Sequence, residues 1–583
     1  MPVRFKFLRD TWRLIKPYWT SEERFTAWLL LGAVITLTLA MVYMNVQFNY
    51  WNNDFYNALQ EKDKASFWRL MGRFTMLATI YIAMAVYAFY LNQMLQIRWR
   101  RWLTDSYLDQ WLSDRAYYRL QLSGNPADNP DQRIAEDMHI FVDQSLDLAL
   151  GFLNAVVTLG SFAGILWGLS GPLEIPYAGP LEIPDPGGQI VIPGYMLWAA
   201  LLYAIAGTWL THKIGKKLIG LNFYQQRFEA DFRFGLVRFR ENTEGVALYN
   251  GERDEMRNFR ARFGSILDNW WQIMKRQKIL NTFTIGYNQA AIIFPFLVAG
   301  NRYFAGTIQL GGLMQISSAF GHVQGSLSWF IGAYNTFANW KATADRLLGF
   351  HNAIEDARAE MRSKSGVQQS LDTESELVIN NVSLTLPNGS PLLATSSAII
   401  KSGESVLIRG PSGSGKSTLF RAIAGIWPFG AGQVRLPRNP RGLFLPQRPY
   451  LPIGTLRDVI AYPIRDGDFS DENVSDALIT VGLQHLSARL NEQQNWSMQL
   501  SPGEQQRVAF ARAVLQQPAW LFLDEATSSL DEDAQQQLYR MLKEKLKKTT
   551  IISIGHRPSL QAFHTRTLEL KSDGHGSRVL TAA

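Results

Sequence analysis

The sequence contains no cysteine among its 583 residues. Disulfide bridges, zinc sites built on thiolates and catalysis by a thiol nucleophile are therefore excluded. Acidic residues are also outnumbered, because 58 Lys and Arg face 50 Asp and Glu, which leaves a formal net charge of +8. The basic residues stand beside apolar segments. We therefore expect a membrane surface as the anionic partner, and we do not expect nucleic acid.

The N-terminal stretch lacks the pattern of a removable signal peptide. Residues 1–24 are basic and aromatic, without a short apolar core followed by a small-residue cleavage site. The mean hydropathy of −0.09 hides a division, because 15 of the 18 Trp and the long apolar runs precede residue 350. We predict a transmembrane domain over 1–350, a polar linker over 351–375 and a soluble domain over 376–583.

Six apolar stretches approach the ~20 residues that cross a bilayer core. They are 27–46, 74–96, 147–169, 195–211, 278–300 and 312–335. The segment 171–193 has no Lys or Arg, whereas 98–146 and 212–278 are rich in both and carry helical periodicity. The positive-inside rule predicts a multi-pass protein with these long basic segments and both termini in the cytoplasm.

Polar residues within the last stretch allow two interpretations. Gln315, Ser318 and His322 share one helical face. Because polarity inside a membrane is costly, this face indicates either a water-filled path or hydrogen bonding between helices, and both interpretations stay open.

The sequence GPSGSGKST fits the phosphate-binding pattern G-x-x-x-x-G-K-S/T. It follows an apolar run at 405–408, which predicts a buried strand, and precedes 419–424, which predicts a helix. Glycines let backbone N–H groups close round a polyphosphate at a helix N-terminus, while a lysine supplies charge and a serine hydroxyl binds Mg²⁺. The candidate nucleotide-binding residues are Gly410, Pro411, Ser412, Gly413, Ser414, Gly415, Lys416, Ser417 and Thr418.

Three further motifs follow in the same domain. The run 520–523 is an apolar strand that ends in Asp524, which would hold Mg²⁺, and Glu525, placed to polarise an attacking water. Before it, 500–507 predicts a turn that opens a helix and suits a phosphate. After it come 528–531 and, beyond a strand at 551–554, His556.

Residues 376–583 resemble the nucleotide-binding domain of ATP-binding cassette (ABC) transporters. The resemblance implies an exporter-like, six-span α-helical transmembrane domain (the type IV ABC fold) fused to an α/β P-loop domain. It also implies a homodimer, in which each ATP lies between the P-loop of one copy and the signature of the other. Glu525, His556 and Lys416 would be catalytic, and Ser417, Gln447 and Asp524 would hold Mg²⁺. The further ATP contacts implied are Gln447 of the Q-loop, Ser501, Gly503 and Glu504 of the signature, and Asp531 of the D-loop.

Two positions depart from the family pattern. The signature reads LSPGE where LSGGQ is usual, so Pro502 removes one backbone N–H. Leu386 falls where an aromatic residue usually stacks on adenine. We expect phosphate and Mg²⁺ contacts, more than base stacking, to carry ATP binding.

The stretches 51–56, 129–134 and 444–450 are similar to the SbmA/BacA-like group of ABC half-transporters, which is related to a mycobacterial importer of cobalamin and hydrophilic solutes and to peroxisomal fatty-acyl-CoA transporters. The resemblance implies a transporter in a bacterial inner membrane that imports hydrophilic compounds such as peptides or cobalamin-like molecules. Two alternatives remain open: an exporter or flippase of amphipathic compounds or lipids, and a membrane ATPase without cargo. Membrane lipid and a solute would be the other partners.

Overall fold

The computed structural model describes residues 3–122, 129–176, 189–362, 366–373, 375–438, 441–464, 469–572 and 577–582. The chain divides into two compact units. The helical unit comprises Met1–Leu108 and Asn129–His351, and the α/β unit comprises Asp109–Asp128 and Asn352–Ala583. The segment 109–128, which interrupts the helical unit in the sequence, thus belongs with the α/β unit.

Long and short helices make up most of the first part of the chain. They are α1 (Val3–Trp19), α2 (Arg24–Gln60), α3 (Lys64–Leu112), α4 (Ala116–Leu122), α5 (Pro130–Gln132), α6 (Met138–Ser170), α7 (Tyr195–Glu241), α8 (Thr243–Tyr249), α9 (Glu252–Phe304) and α10 (Leu310–Arg362). A 3₁₀ turn at Ser113–Arg115 precedes α4, and a π-helical turn at Arg133–Asp137 precedes α6. Gly171 ends α6 at φ 60° and Gly194 precedes α7 at φ 64°, a conformation that glycine adopts without strain.

Four helical stretches of the described residues are long and apolar enough to cross a membrane. They are Arg24–Gln60, Lys64–Leu122, Pro130–Ser170 and Glu252–Phe304. The predicted count of six spans is therefore not confirmed, since α7 and α10 are not among the four. In α7 the apolar run stops before His212 and Lys213, short of the ~20 residues that span a bilayer core. In α10 polar side chains interrupt the run.

Amide side chains join α2 to α10. Asn53 donates to the Gln315 side-chain oxygen at 2.6 Å, and Asn49 donates to the Gln315 carbonyl at 3.1 Å. Asn57 accepts the N–H of Gly311 at 2.8 Å, in the first turn of α10. For Gln315, hydrogen bonding between helices is therefore what the structure shows. His322 stacks on Phe162, with 4.0 Å between ring centroids.

A buried carboxylate joins α10 to the π-helical turn. Asp137 is 2% exposed and accepts from Arg133 at 2.5 Å and from Arg346 at 2.7 and 2.9 Å. Two guanidinium groups thus pair with one buried carboxylate. Removing either kind of partner alone would destabilise the fold, because a buried charge would lose its counter-charge.

The first GPLEIP sequence forms part of a hairpin. Strand β1 (Pro172–Pro176) pairs antiparallel with β2 (Gln189–Pro193). The second GPLEIP sequence, at 179–184, lies outside the described residues.

The strands of the α/β unit are β3 (Gln368–Thr373), β4 (Glu376–Thr385), β5 (Pro391–Lys401), β6 (Ser405–Arg409), β7 (Gly430–Pro437), β8 (Gly442–Leu445), β9 (Gly454–Thr455), β10 (Gln493–Gln494), β11 (Trp520–Asp524), β12 (Thr550–Ile554), β13 (Arg566–Ser572) and β14 (Arg578–Ala582). Ten of them form one sheet in the order β3-β7-β4-β5-β14-β13-β6-β12-β11-β8. The run from β13 to β8 is parallel. Its inner strands β6, β12 and β11 are buried along nearly their whole length, as in sheets covered on both faces.

Helices cover this sheet. They are α11 (Lys416–Ile423), α12 (Leu456–Ala461), α13 (Asp471–Thr480), α14 (Trp496–Gln499), α15 (Pro502–Gln516) and α16 (Glu532–Lys545). Two buried apolar clusters flank the sheet, one around Leu521, Phe510 and Leu538 and the other around Phe420, Val434 and Ile552.

The stretch around α4 packs within the α/β unit. Arg115 donates to the carbonyl of Ala424, which follows the last residue of α11, at 2.7 Å. Leu122 packs against the second apolar cluster. Asp114 and Arg115 both have positive φ, 54° and 56°, a strained conformation for residues other than glycine. The structure thus anchors this turn to the end of the P-loop helix.

Candidate functional site: an ATP-hydrolysis centre

The candidate site lies at the carboxyl ends of four adjacent parallel strands. The P-loop follows β6, His556 follows β12, Asp524 and Glu525 end β11, and Gln447 follows β8. Register places Ile408 beside Ile554, and Ile554 beside Asp524. Ligands of open parallel sheets bind outside this edge, so the topology itself brings these motifs together.

The P-loop makes a tight turn into α11. Gly410, Gly413 and Gly415 have φ of 153°, 73° and 91°. A Cβ at Gly410 would lie 3.0 Å from Leu570, and one at Gly415 would lie 3.0 Å from Leu392, so side chains at these two positions would be both strained and crowded. The backbone N–H groups at the start of α11 are thereby presented to a phosphate.

Lys416 is folded back into the loop. Its ammonium donates to the carbonyls of Gly410 and Pro411 at 2.9 and 2.8 Å. Burial lowers the pKa of Lys416, while Glu525 and Asp524 act in the opposite direction. The cation therefore lies at the point that a polyphosphate would approach.

Ser417 and Asp524 form the predicted hydroxyl–carboxylate pair. The Ser417 hydroxyl donates to Asp524 Oδ1 at 2.9 Å. Burial raises the pKa of Asp524, and the hydrogen bond from Ser417 opposes that rise. Two hard oxygen donors next to a phosphate-binding loop are a donor set that suits Mg²⁺, so the residues present fit that ion. Among the described residues no group of three His, Cys, Asp or Glu could hold a metal ion.

Glu525 lies between two of the predicted residues. Its Oε1 is 3.0 Å from His556 Nε2, and its Oε2 accepts from Gln447 Nε2 at 3.4 Å. Its φ is 49°, an unusual conformation held by a hydrogen bond from its N–H to the carbonyl of Ile554. The strand end thus turns the carboxylate toward the residues that follow β12 and β8.

The signature opens α15 with a capping box. The Ser501 hydroxyl accepts from the N–H of Glu504 at 3.3 Å, and Glu504 accepts from the N–H and hydroxyl of Ser501 at 2.9 and 2.8 Å. Pro502 is the first residue of the helix, where no intrahelical partner exists for an N–H. The departure from LSGGQ therefore costs the helix no hydrogen bond. His485 also lies 3.2 Å from Glu504.

The signature and the P-loop are not joined within one chain. Among the described residues no hydrogen bond connects 501–504 with 410–418. Ser501 is exposed, and Gly503 is half-buried.

Gln506 is a functional candidate that the motif search missed. It is 1% exposed, donates to the Gln447 carbonyl and the Ser528 hydroxyl at 3.1 Å, and accepts from the N–H of Ser529 at 3.0 Å. One side chain therefore joins the Q-loop, the signature helix and the D-loop. The only sequence signal is its place one turn into α15, because its partners are distant in sequence.

Arg557 was missed as well. It follows His556 and donates to the Leu530 carbonyl at 2.8 Å, which links the end of β12 to the D-loop. Asp531, predicted as an ATP contact, caps α16 by accepting from the N–H of Ala534 at 2.7 Å. Leu386 lies in the turn between β4 and β5 and is 36% exposed.

These features define a class of protein, an ATPase of the P-loop type carried on membrane-crossing helices. Family models agree: "ABC transporter transmembrane region 2" matches residues 14–304, and "ABC transporter" matches residues 393–528. The chain belongs to the ABC transporter family, as a half-transporter with one membrane region and one ATPase domain coupled to transport.

Several relatives span almost the whole chain. The Escherichia coli inner membrane ABC transporter ATP-binding protein YddA is 35% identical over 94% of both chains. The Arabidopsis thaliana ABC transporter D family member 2, chloroplastic, is 34% identical over 98% of this chain and 88% of its own. The human lysosomal cobalamin transporter ABCD4 is 28% identical over 98% of this chain and 95% of its own. These relatives confirm the predicted resemblance to ABC half-transporters and show a YddA-like chain related to ABCD4 and the plant D family.

A solved structure shares the fold. A bacterial Atm1-family ABC exporter with ATP bound superposes with a TM-score of 0.71, 18% identity and coverage of 96% of this chain and 95% of that chain. This similarity confirms the exporter-like fold.

Proposed function

We propose that two copies of the chain pair through their α/β units and hydrolyse ATP at two shared sites. Each ATP would lie between residues 410–418 of one copy and residues 501–504 of the other. The exposed Ser501, separated from the P-loop of its own chain, supports this arrangement. The half-transporter composition supports it as well, because one chain supplies only one ATPase domain.

Each residue has a role in this proposal. Lys416 exchanges its two carbonyl partners for phosphate oxygens, and His556 neutralises γ-phosphate charge. Glu525 accepts the proton of the attacking water, with His556 and Gln447 holding its carboxylate. Mg²⁺ bound by Ser417, Gln447 and Asp524 would supply charge neutralisation at the phosphates.

Coupling to transport follows from differential binding. ATP favours the closed pair of α/β units, and hydrolysis releases it. The segments 98–146 and 212–278 carry that change to the membrane helices. We place both termini in the cytoplasm and the protein in a bacterial inner membrane, supported by the charge asymmetry of the loops and by the relation to YddA.

The cargo that we propose is a hydrophilic solute, such as a peptide or a cobalamin-like compound, moved inward. The supporting observation is the similarity to a relative named as a cobalamin transporter. The helical unit contains a cavity of about 390 Å³, most of whose lining surface is apolar. Its polar groups come from Thr208, His212 and Lys216 of α7 and Tyr334 and Asn335 of α10.

Export or flipping of amphipathic compounds is the second candidate, supported by the exporter-like fold. Sealed proteoliposomes with ATP on a known side distinguish the two by the sign of cobalamin or peptide accumulation. If neither solute moves and ATPase activity responds to no cargo, the third hypothesis, an ATPase without cargo, replaces both.

The membrane topology can be tested by labelling single introduced cysteines, because the sequence has no other cysteine that would react. Lys64→Cys lies at the start of α3, directly after the loop that follows α2, and Glu252→Cys lies at the start of α9. We expect a membrane-impermeant thiol reagent to label the first only from outside and the second only from the cytoplasmic side. Labelling of both from one side would overturn the topology.

A further inference from the structure

A groove rich in basic side chains runs between α7 and α9, with a volume of about 750 Å³. Lys216 and Lys217 line it from α7, and Lys275 and Arg276 line it from α9. The three lysines are exposed, and Arg276 is half-buried. We call this feature the basic groove. The ATP site does not use it, and only Lys216 also lines the 390 Å³ cavity described above.

The positive charge of the basic groove is uncompensated. No carboxylate lines it, and within the described part of the chain none of its four cations forms a salt bridge. The nearest acidic residue on α9, Asp268, is seven positions from Lys275, roughly 10 Å along the helix. Four cations converging on one space repel one another, so an anion bound among them lowers the electrostatic energy.

The depth of the groove follows from the register of the two helices. Tyr203 donates to the Tyr287 carbonyl at 2.5 Å, and Asn269 donates to the Leu221 carbonyl at 2.9 Å, so α7 and α9 are antiparallel. From Tyr195, the first residue of α7, to Lys216 is about 32 Å at 1.5 Å per residue. A hydrocarbon core is about 30 Å thick. If α7 begins at the outer surface, the groove lies at the level of the inner-leaflet phosphates.

An exposed apolar face continues from the groove toward the membrane centre. Ile205 and Trp209 are 61% and 60% exposed and precede Lys213 and Lys216 at helical spacing. The Lys213 ammonium lies 5.0 Å from the centre of the Trp209 ring. Aromatic rings beside cations at the end of an apolar face are typical of a membrane interface.

We propose that the basic groove binds the headgroup of an anionic phospholipid of the cytoplasmic leaflet, with the acyl chains along Ile205 and Trp209. The inference rests on the proposed membrane topology. A free phosphate would use the cations but not the apolar face. A zwitterionic lipid would bring an ammonium group for which no carboxylate is present, so the groove selects lipids with net negative charge.

The test uses the full-length dimer in detergent, titrated with fluorescent phosphatidylglycerol, cardiolipin or phosphatidylcholine. We expect the wild-type protein to prefer the anionic lipids, and the triple variant Lys217→Gln, Lys275→Gln, Arg276→Gln to bind them about 100-fold more weakly. The matched control, Arg227→Gln, Arg253→Gln, Arg260→Gln, removes the same charge from exposed positions outside the groove and should bind as wild type.

Other outcomes are informative too. Equal binding of phosphatidylcholine, or unchanged binding by the triple variant, would overturn the proposal. Displacement of the lipid by millimolar inorganic phosphate would show a site for free phosphate instead. Basal ATP hydrolysis in detergent reports folding; if the triple variant loses it, Lys217→Gln and Lys275→Gln alone should each weaken binding about fivefold. Lipid binding is measured without cargo, so its failure is distinct from a failure of the transport proposal.

Discussion

Glu525→Gln should separate ATP binding from ATP hydrolysis. Glutamine keeps the shape of the side chain, and its amide can retain one of the contacts at 3.0 Å to His556 and 3.4 Å to Gln447. The hydrogen bond from the backbone of residue 525 to Ile554 is unchanged, so we expect the fold to persist. What is lost is the proton acceptor.

A general base contributes about 10²–10⁴-fold to a rate, which corresponds to about 2.7–5.5 kcal/mol of activation free energy. We expect phosphate release to fall by that factor. ATP binding should persist because the substitution leaves 410–417 intact, and ATP should remain trapped in the closed dimer. The assay pairs phosphate release with retention of radiolabelled ATP after gel filtration.

The matched control is Glu532→Gln, an exposed carboxylate in the first turn of α16, which should hydrolyse ATP at the wild-type rate. If Glu525→Gln hydrolyses ATP within tenfold of the wild-type rate, Glu525 is not the base. Loss of ATP binding together with hydrolysis would instead show that the carboxylate supports the nucleotide site.

Four other predictions concern single side chains. Gln506→Leu should lower ATP hydrolysis about 10-fold with ATP affinity retained, because it removes three hydrogen bonds between loops but no phosphate contact. Asp137→Asn should cost about 3–5 kcal/mol by removing the buried charge that Arg133 and Arg346 share, measured as a shorter half-life on heating. Pro502→Gly should cost only about 0.4–1 kcal/mol of stability and change ATP hydrolysis less than about fivefold, because the first helical position needs no hydrogen bond. Burial, opposed by a hydrogen bond to the Leu560 carbonyl, lowers the pKa of His564. The unfolded chain therefore binds its proton more tightly, stability should fall as pH drops below about 6.5, and His564→Gln should weaken that dependence.

Each of these has a contradicting result. Wild-type turnover in the Gln506 variant would mean that the loops are positioned without it. An unchanged heating half-life for Asp137→Asn, beside exposed Asp254→Asn as control, would mean that the arginines find water. A Pro502 variant with a turnover change above tenfold would place the missing N–H in phosphate binding. A His564 variant with the wild-type pH profile would assign the acid sensitivity to other groups.

The strand and helix on either side of the P-loop, and the strand before 524 and 525, could be predicted from sequence because short stretches encode them. A P-loop needs glycines at fixed spacing and a carboxylate must follow a buried strand, so the roles of residues 410–418, 524 and 525 in ATP hydrolysis are predictions from local pattern. Gln506 escaped notice because its partners Gln447 and Ser528 are 59 and 22 positions away. Such contacts depend on the tertiary structure, which no local pattern encodes.

Asp531 has a local role beside the one that the family motif implies. The motif implies a contact with ATP, which stays a prediction, and the structure shows that the carboxylate caps α16. An aspartate three residues before a buried alanine and ahead of an amphipathic stretch is also an N-cap signal, and the local rule describes its observed role. The number of membrane spans was also hard to predict from sequence, because α7 and α10 mix polar and apolar residues.

Arg115 contacts the C-terminal end of the P-loop helix, opposite the turn that is predicted to bind phosphate. α11 has 8 residues and is therefore about 12 Å long, with the phosphate-binding turn at one end and the Arg115 guanidinium at the carbonyl of Ala424 beyond the other. An anion at the positive end of the helix dipole and a cation at the negative end strengthen each other. Because linkage is reciprocal, we expect that displacing Arg115 weakens nucleotide binding and that nucleotide release loosens the contact of Arg115.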